Sequence, residues 1–180
     1  MLMRCICGFV PVDEGIIRVA EKQIGREVDF PPDTGLILET PGFIDAYTGL
    51  HNLRILQELT GRRDDKKIQS VLKAVGLDPD EKKPVRKYSL GMRQRLGIAQ
   101  AIMDAPTLLV LDEPMNGLDR EGVLKIRRLL LEIRDGGTTI LLASHQDEDI
   151  HSLCDTIYRL EAGKIVGVER VNQRMEGKEA

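Results

Sequence analysis

Two adjacent acids, Asp112 and Glu113, close the apolar run Leu108–Leu111 and stand directly before Pro114, within the stretch T-L-L-V-L-D-E-P-M-N-G-L-D (107–119). An uninterrupted Leu-Leu-Val-Leu suits a strand buried on both faces of a parallel sheet, and the proline stops it. Such a strand delivers its last side chains to the carboxyl edge of the sheet, where open α/β proteins bind their ligands. Paired carboxylates there can divide two tasks, one holding Mg²⁺ while the other activates or orients a water. Four apolar residues and two acids alone read more simply as a buried strand ending in solvent. The attached Asn116-Gly-Leu-Asp119 and three further motifs reverse that judgement.

The second motif is Tyr88-Ser-Leu-Gly-Met-Arg-Gln-Arg-Leu-Gly-Ile-Ala-Gln-Ala101. Ser89 is a natural N-cap, Gly91 lets another backbone approach closely, and the apolar face Leu96, Ile98, Ala99 and Ile102 commits the stretch to a helix. Unpaired N–H groups and the helix dipole make that N-terminus an anion site, although a capped helix start by itself is more often purely structural. Arg93 and Arg95 read as solvated helix charges. The remaining two motifs are Glu39, which closes the short strand Leu36–Leu38, and Ser144-His145, which comes after the apolar strand Thr138–Ala143.

These residues need elements to position them. Met1–Gly8 reads as a short helix without a capping residue in front of it, and Ile16–Ala20 with a piece near Ile24 reads as small antiparallel strands. Ala46–Leu59 and Asp64–Val75 show helical spacing, through Leu50, Leu53, Leu56 and Leu59 and through Ile68, Val71, Leu72 and Val75. Residues 47–103 form a helical subdomain inserted between two pieces of the sheet. Glu121–Arg134 is an amphipathic helix with Val123, Leu124, Ile126, Leu130 and Ile133 inward. Gln146–Asp149 opens another helix, Thr156–Leu160 and Ile165–Val168 form a hairpin, and the chain from Val171 is a charged, frayed tail.

The 180 residues suffice for one well-buried domain and are too few for two ordinary ones. A net charge of -3 and a pI near 5.7 give no general affinity for nucleic acid. Trp is absent, and three each of Phe and Tyr leave no base-stacking platform. Cys5, Cys7 and Cys154 lack zinc or disulfide spacing and read as buried, reduced thiols. The first residues carry Arg4 and no signal-cleavage pattern, and no stretch approaches the roughly 20 apolar residues of a membrane span.

Taken in order, the chain shows Glu39 at a strand end, a helical insertion, S-x-G opening a helix, a strand ending D-E, then N-G-L-D, then strand-Ser-His. In this order it resembles, over nearly its whole length, the ATP-binding subunit of ABC transporters. Ser89-Leu-Gly-Met corresponds to the signature, Asp112 and Glu113 to the Walker B acids, Asn116–Asp119 to the D-loop and His145 to the switch histidine. Tyr-Ser-Leu-Gly-Met and Glu-Thr-Pro-Gly-Phe are most similar to the drug, bacitracin and lantibiotic exporter subgroup. The resemblance implies an α/β, P-loop NTPase-like parallel sheet flanked by helices, with the helical insertion and a small antiparallel part.

It also implies ATP and Mg²⁺ as cofactors. Glu113 and His145 would be catalytic, and Ser89, Leu90, Gly91, Asp112, Asp119 and Glu39 would bind nucleotide, with Asp112 and Glu39 at the metal. The implied partners are transmembrane permease subunits and a second ATP-binding subunit, identical or not, with no nucleic acid. The implied location is cytoplasmic, on the inner face of the membrane through the permease. A chromosome-organising ATPase fits less well, because only roughly 45 residues without sustained heptads separate the sheet halves.

Three departures qualify the match. Glu39 stands where the family usually has Gln, though a carboxylate can still bind the metal directly or through water. Leu90 and Met92 replace the second Gly and the Gln of the common signature. No G-x-x-x-x-G-K-[ST] phosphate loop occurs in the 180 residues, since Gly163-Lys164 precedes Ile and Gly177-Lys178 precedes Glu. In the family, a segment like Met1–Gly8 comes directly after that loop. The sequence therefore reads as a fragment, or a chain with a misplaced start, that lacks the N-terminal strand and phosphate loop. Its 180 residues alone are expected to be inactive or nearly so. The alternative is a catalytically incomplete regulatory or dimerisation module that pairs with an intact ATPase subunit.

Overall fold

The computed structural model describes residues 1–38 and 42–171. Two sequence expectations, the metal role of Glu39 and the frayed tail over 172–180, therefore concern positions outside the described residues. At the centre lies a three-stranded parallel sheet of β3 (Thr34–Ile37), β4 (Leu108–Asp112) and β5 (Thr139–Ala143), with β4 in the middle. Leu109, Val110 and Leu111 are fully buried, as an apolar run covered on both faces requires. The register pairs Ile37 with Leu111 and Asp112 with Ala143, so all three strands end at one edge.

Helix α4 (Leu90–Ile102) lies directly on β3. A Cβ on Gly35 would fall 1.9 Å from the Ala101 carbonyl oxygen, so only glycine permits this approach. Helix α5 (Arg120–Asp135) contributes the buried Ile126 and Leu130, with Val123 and Ile133 packed at the margin. Leu124, expected inward, is exposed. At 100° per residue it stands well off the stripe formed by 123, 126, 130 and 133.

Helices α2 (Gly49–Leu59) and α3 (Asp65–Ala74) precede α4 and share a core with its first half, built from Leu53, Ile68, Leu72, Val75, Val85, Tyr88 and Leu96. Helix α2 starts at Gly49 rather than Ala46, because Thr48 caps it by accepting from the His51 N–H. Leu59, expected inward with Leu50, Leu53 and Leu56, is 78% exposed. A spacing of three drifts about 60° per step, so Leu59 has turned roughly 180° from Leu50. The inner polar positions fall instead to Asn52, which bonds the Ile44 backbone through both amide groups, and to Gln57, which accepts from the Asp64 N–H.

The remaining pieces are helix α1 (Leu2–Ile6), the short antiparallel pair β1 (Arg18–Val19) and β2 (Lys22–Gln23), helix α6 (Asp147–Leu153), and the hairpin β6 (Thr156–Glu161) and β7 (Lys164–Arg170). Ile24 contributes only a single bridge to Val28. Of the three thiols, Cys7 is buried while Cys5 and Cys154 are half-buried. No helix among the described residues is long and apolar enough to cross a membrane.

Candidate functional site

At the carboxyl edge of the sheet, Asp112 is the last residue of β4 and stands opposite Ala143. The ladder continues one bond further, with the Glu113 N–H donating to the Ala143 oxygen at 2.9 Å. Glu113 then takes a positive φ of 48°. Its carbonyl accepts from the Asn116 N–H at 3.1 Å, which closes a tight turn after the strand. Two residues beyond Ala143, His145 comes within reach, and its Nδ1 lies 2.8 Å from Glu113 Oε1.

The imidazole is 69% exposed and the Glu113 side chain 30% exposed, so the pair forms an accessible wall and not a core contact. The Asp112 carboxylate has no hydrogen-bond partner among the described residues. A free carboxylate at a strand end beside a carboxylate–imidazole pair is a suitable donor set for a hydrated divalent cation and a reacting water.

A second group lies at the start of α4. The Ser89 hydroxyl accepts from the Met92 N–H at 3.2 Å, the cap expected from the sequence. Tyr88, just before it, accepts from the Gly49 N–H at 3.2 Å, and burial pushes its phenol above the ordinary value. A Cβ on Gly91 would stand 2.8 Å from the Gly117 oxygen, and one on Gly117 would stand 2.6 Å from the Leu90 side chain. The Asn116-Gly117 turn therefore packs closely on the opening of α4, while Leu90 itself stays 65% exposed. Asp119 caps α5 by accepting from the Gly122 N–H at 3.2 Å.

The structure thus brings Asp112, Glu113 and His145 together, and separately Ser89, Leu90, Gly91 and Asp119. No hydrogen bond joins the two groups directly among the described residues. They flank the turn over 113–119, with Gln94 between them: its Nε2 donates to the Pro114 oxygen at 2.9 Å and the Glu113 oxygen at 3.4 Å.

Sequence reasoning missed Gln94, and it misplaced Arg93 and Arg95 as solvated charges. Arg93 donates to Asp45 at 2.9 Å, and Arg95 reaches Asp119 at 2.9 Å with only 19% of its side chain exposed. Long polar side chains one turn into a helix can reach over its N-terminal end, but the spacing alone does not name their partners. Also unread were Arg127 of α5 and the fully buried Asp149 of α6, paired at 2.6 Å. They fix the helix that comes after His145.

Acids at the carboxyl edge of a parallel sheet with a capped helix N-terminus nearby are an arrangement suited to a phosphorylated ligand and its metal. The ABC transporter family model matches residues 1–116. An uncharacterised ABC transporter ATP-binding protein of Bacillus subtilis, YybJ, is 38% identical over 171 residues, covering 95% of this chain and 78% of that protein. The bacitracin transport ATP-binding protein BcrA of Enterococcus faecalis is 45% identical over 139 residues, covering 77% of this chain and 44% of that protein. The dimeric ATP-binding cassette MJ0796, bound to ADP and Pi, superimposes with a TM-score of 0.82 at 20% identity, covering 94% of this chain and 79% of that one. The chain belongs to the ABC transporter family, in its ATP-binding class.

Proposed function

We propose that this chain is the ATP-hydrolysing subunit that powers export of a peptide antibiotic, such as bacitracin, through membrane-embedded permease subunits. The observation that carries the reading is the 2.8 Å contact of His145 with Glu113 beside Asp112, whose carboxylate has no hydrogen-bond partner among the described residues. Mg²⁺, when bound with ATP, supplies neutralisation of the phosphate charge. Asp112 would hold that metal, and Glu39, outside the described residues, would be a second oxygen donor. Glu113 accepts a hydrogen bond from the attacking water and draws off its proton. His145 braces the Glu113 carboxylate through Nδ1, and in the doubly protonated ring its Nε2–H would donate to the γ-phosphate.

Ser89, Leu90 and Gly91 serve a different nucleotide, the one held by a second ATP-binding subunit. Two features support this: among the described residues no hydrogen bond joins them to Glu113, and Leu90 stands exposed at the start of α4. Asp119 shapes the shared interface. The permease would bring the chain to the inner face of the membrane; among the described residues no helix is long and apolar enough to cross it.

Because the 180 residues alone are expected to be inactive, the proposal is tested by expressing the chain extended upstream through a phosphate loop, with its neighbouring permease genes, in a bacitracin-sensitive bacterium. Protection that disappears with Glu113→Gln, at equal protein level, is the expected result. Protection that survives Glu113→Gln overturns the catalytic assignment in favour of a regulatory module, and no protection against any peptide antibiotic by a complex that still hydrolyses ATP overturns the substrate class.

A further inference from the structure

Glu113 is held in a backbone conformation that a residue with a Cβ seldom adopts, at a φ of 48°. Such a conformation persists only where neighbouring groups fix it. Three contacts do so here. The Glu113 N–H is bound to the Ala143 oxygen, and its carbonyl receives the Asn116 N–H. The third is Gln94, whose amide spans the Glu113 and Pro114 carbonyls. Both partners are acceptors, so the NH₂ end must face them.

The first two contacts are backbone bonds of a turn and a ladder, available to many sequences. The third comes from a side chain on a different element, five residues beyond the Ser89 cap. Without it, the Glu113 and Pro114 carbonyls lose a shared donor and the turn can relax toward ordinary extended backbone. The Glu113 carboxylate then leaves the 2.8 Å contact with His145.

We infer that Gln94 is a positioning residue for Glu113: by tying the turn over 113–114 to α4, it keeps the carboxylate aimed at His145. The inference rests on the roles of Glu113 and His145 proposed above. Its consequence is that the helix carrying Ser89 and Gly91 and the turn carrying Glu113 move as one body.

The test is side-chain and amide NMR of the purified chain without nucleotide. It reads geometry alone, so it can fail while Glu113→Gln still abolishes function, and the reverse. In the parent chain, neutral His145 should carry its proton on Nδ1, facing Glu113, and the Asn116 amide should be protected. Gln94→Met should return His145 to the Nε2-protonated form that free imidazole prefers. It should also speed Asn116 exchange about tenfold relative to the amides of β4.

Gln94→Glu supplies a control. At about pH 7.5 its carboxylate repels the two carbonyls, and Asn116 is unprotected. An unchanged Nδ1 tautomer and unchanged Asn116 protection in Gln94→Met overturn the inference. So does a Gln94→Glu protein in which Asn116 stays as protected as in the parent chain.

Discussion

The ion pair between α5 and α6 offers the most quantitative prediction. The Asp149 side chain is 1% exposed, and its Oδ1 takes Arg127 Nε at 2.7 Å and Nη2 at 2.6 Å. Its Oδ2 is buried with no hydrogen-bond partner among the described residues, so the compensation of this carboxylate falls on the Arg127 pair. Arg127→Met leaves the Asp149 charge buried and unpaired, which costs about 3–5 kcal/mol. With a slope of about 2 kcal/mol per molar urea, the unfolding midpoint should fall by roughly 2 M.

Glu148 binds the same guanidinium at 2.7 Å through Nη1, but its side chain is 80% exposed. Glu148→Gln should therefore leave the midpoint in place. Combining Arg127→Met with Asp149→Leu removes both charges and should recover most of the loss. Urea titration followed by circular dichroism reads all three variants. A loss for Arg127→Met no larger than that for Glu148→Gln would refute the reasoning, because the pair would then behave as a surface contact.

Single contacts set three further outcomes. Gly35→Ala would drive a Cβ into the Ala101 carbonyl and should destabilise the chain by about 3 kcal/mol or more, read as lost soluble yield or a lowered urea midpoint. The Asp65 carboxyl is held below its ordinary range, first by the hydrogen bond from Arg54. The stability it adds is therefore present above the ordinary carboxylate range and lost as pH falls through the depressed value. Carbon-13 titration should show the Asp65 midpoint rising in Arg54→Gln, and an unmoved midpoint contradicts this. Burial pushes the Cys7 thiol up, so alkylation near pH 8 should run at least about tenfold slower in the folded chain than in denaturant, by mass spectrometry.

Much of this molecule was legible because local signals and global fold agree. The unbroken Leu108–Leu111 run announced a central parallel strand, and Ser89, Asp64 and Asp119 each cap the helix expected after them. Motif order alone assigned Asp112, Glu113 and His145 to one sheet edge. The contacts that stayed hidden span long sequence separations. Arg95 reaching Asp119, Gln94 reaching the turn after β4, and Arg127 reaching α6 all depend on where helices dock, and polar residues on a helix face give no sign of that. Leu59 and Leu124 failed for a geometric reason: each is apolar, near a stripe, and rotated off it.

The central claim is that Glu113, braced by His145 and set beside Asp112, is the carboxylate through which this chain hydrolyses ATP. The most direct measurement is Mg-ATP turnover by the purified transporter complex that contains the chain, compared with the same complex carrying Glu113→Gln. The substitution keeps the size and the turn but removes the proton acceptor, so turnover should fall at least about a hundredfold while nucleotide binding is retained. Turnover equal to that of the parent complex would contradict the account and leave Glu113 as no more than the end of a strand.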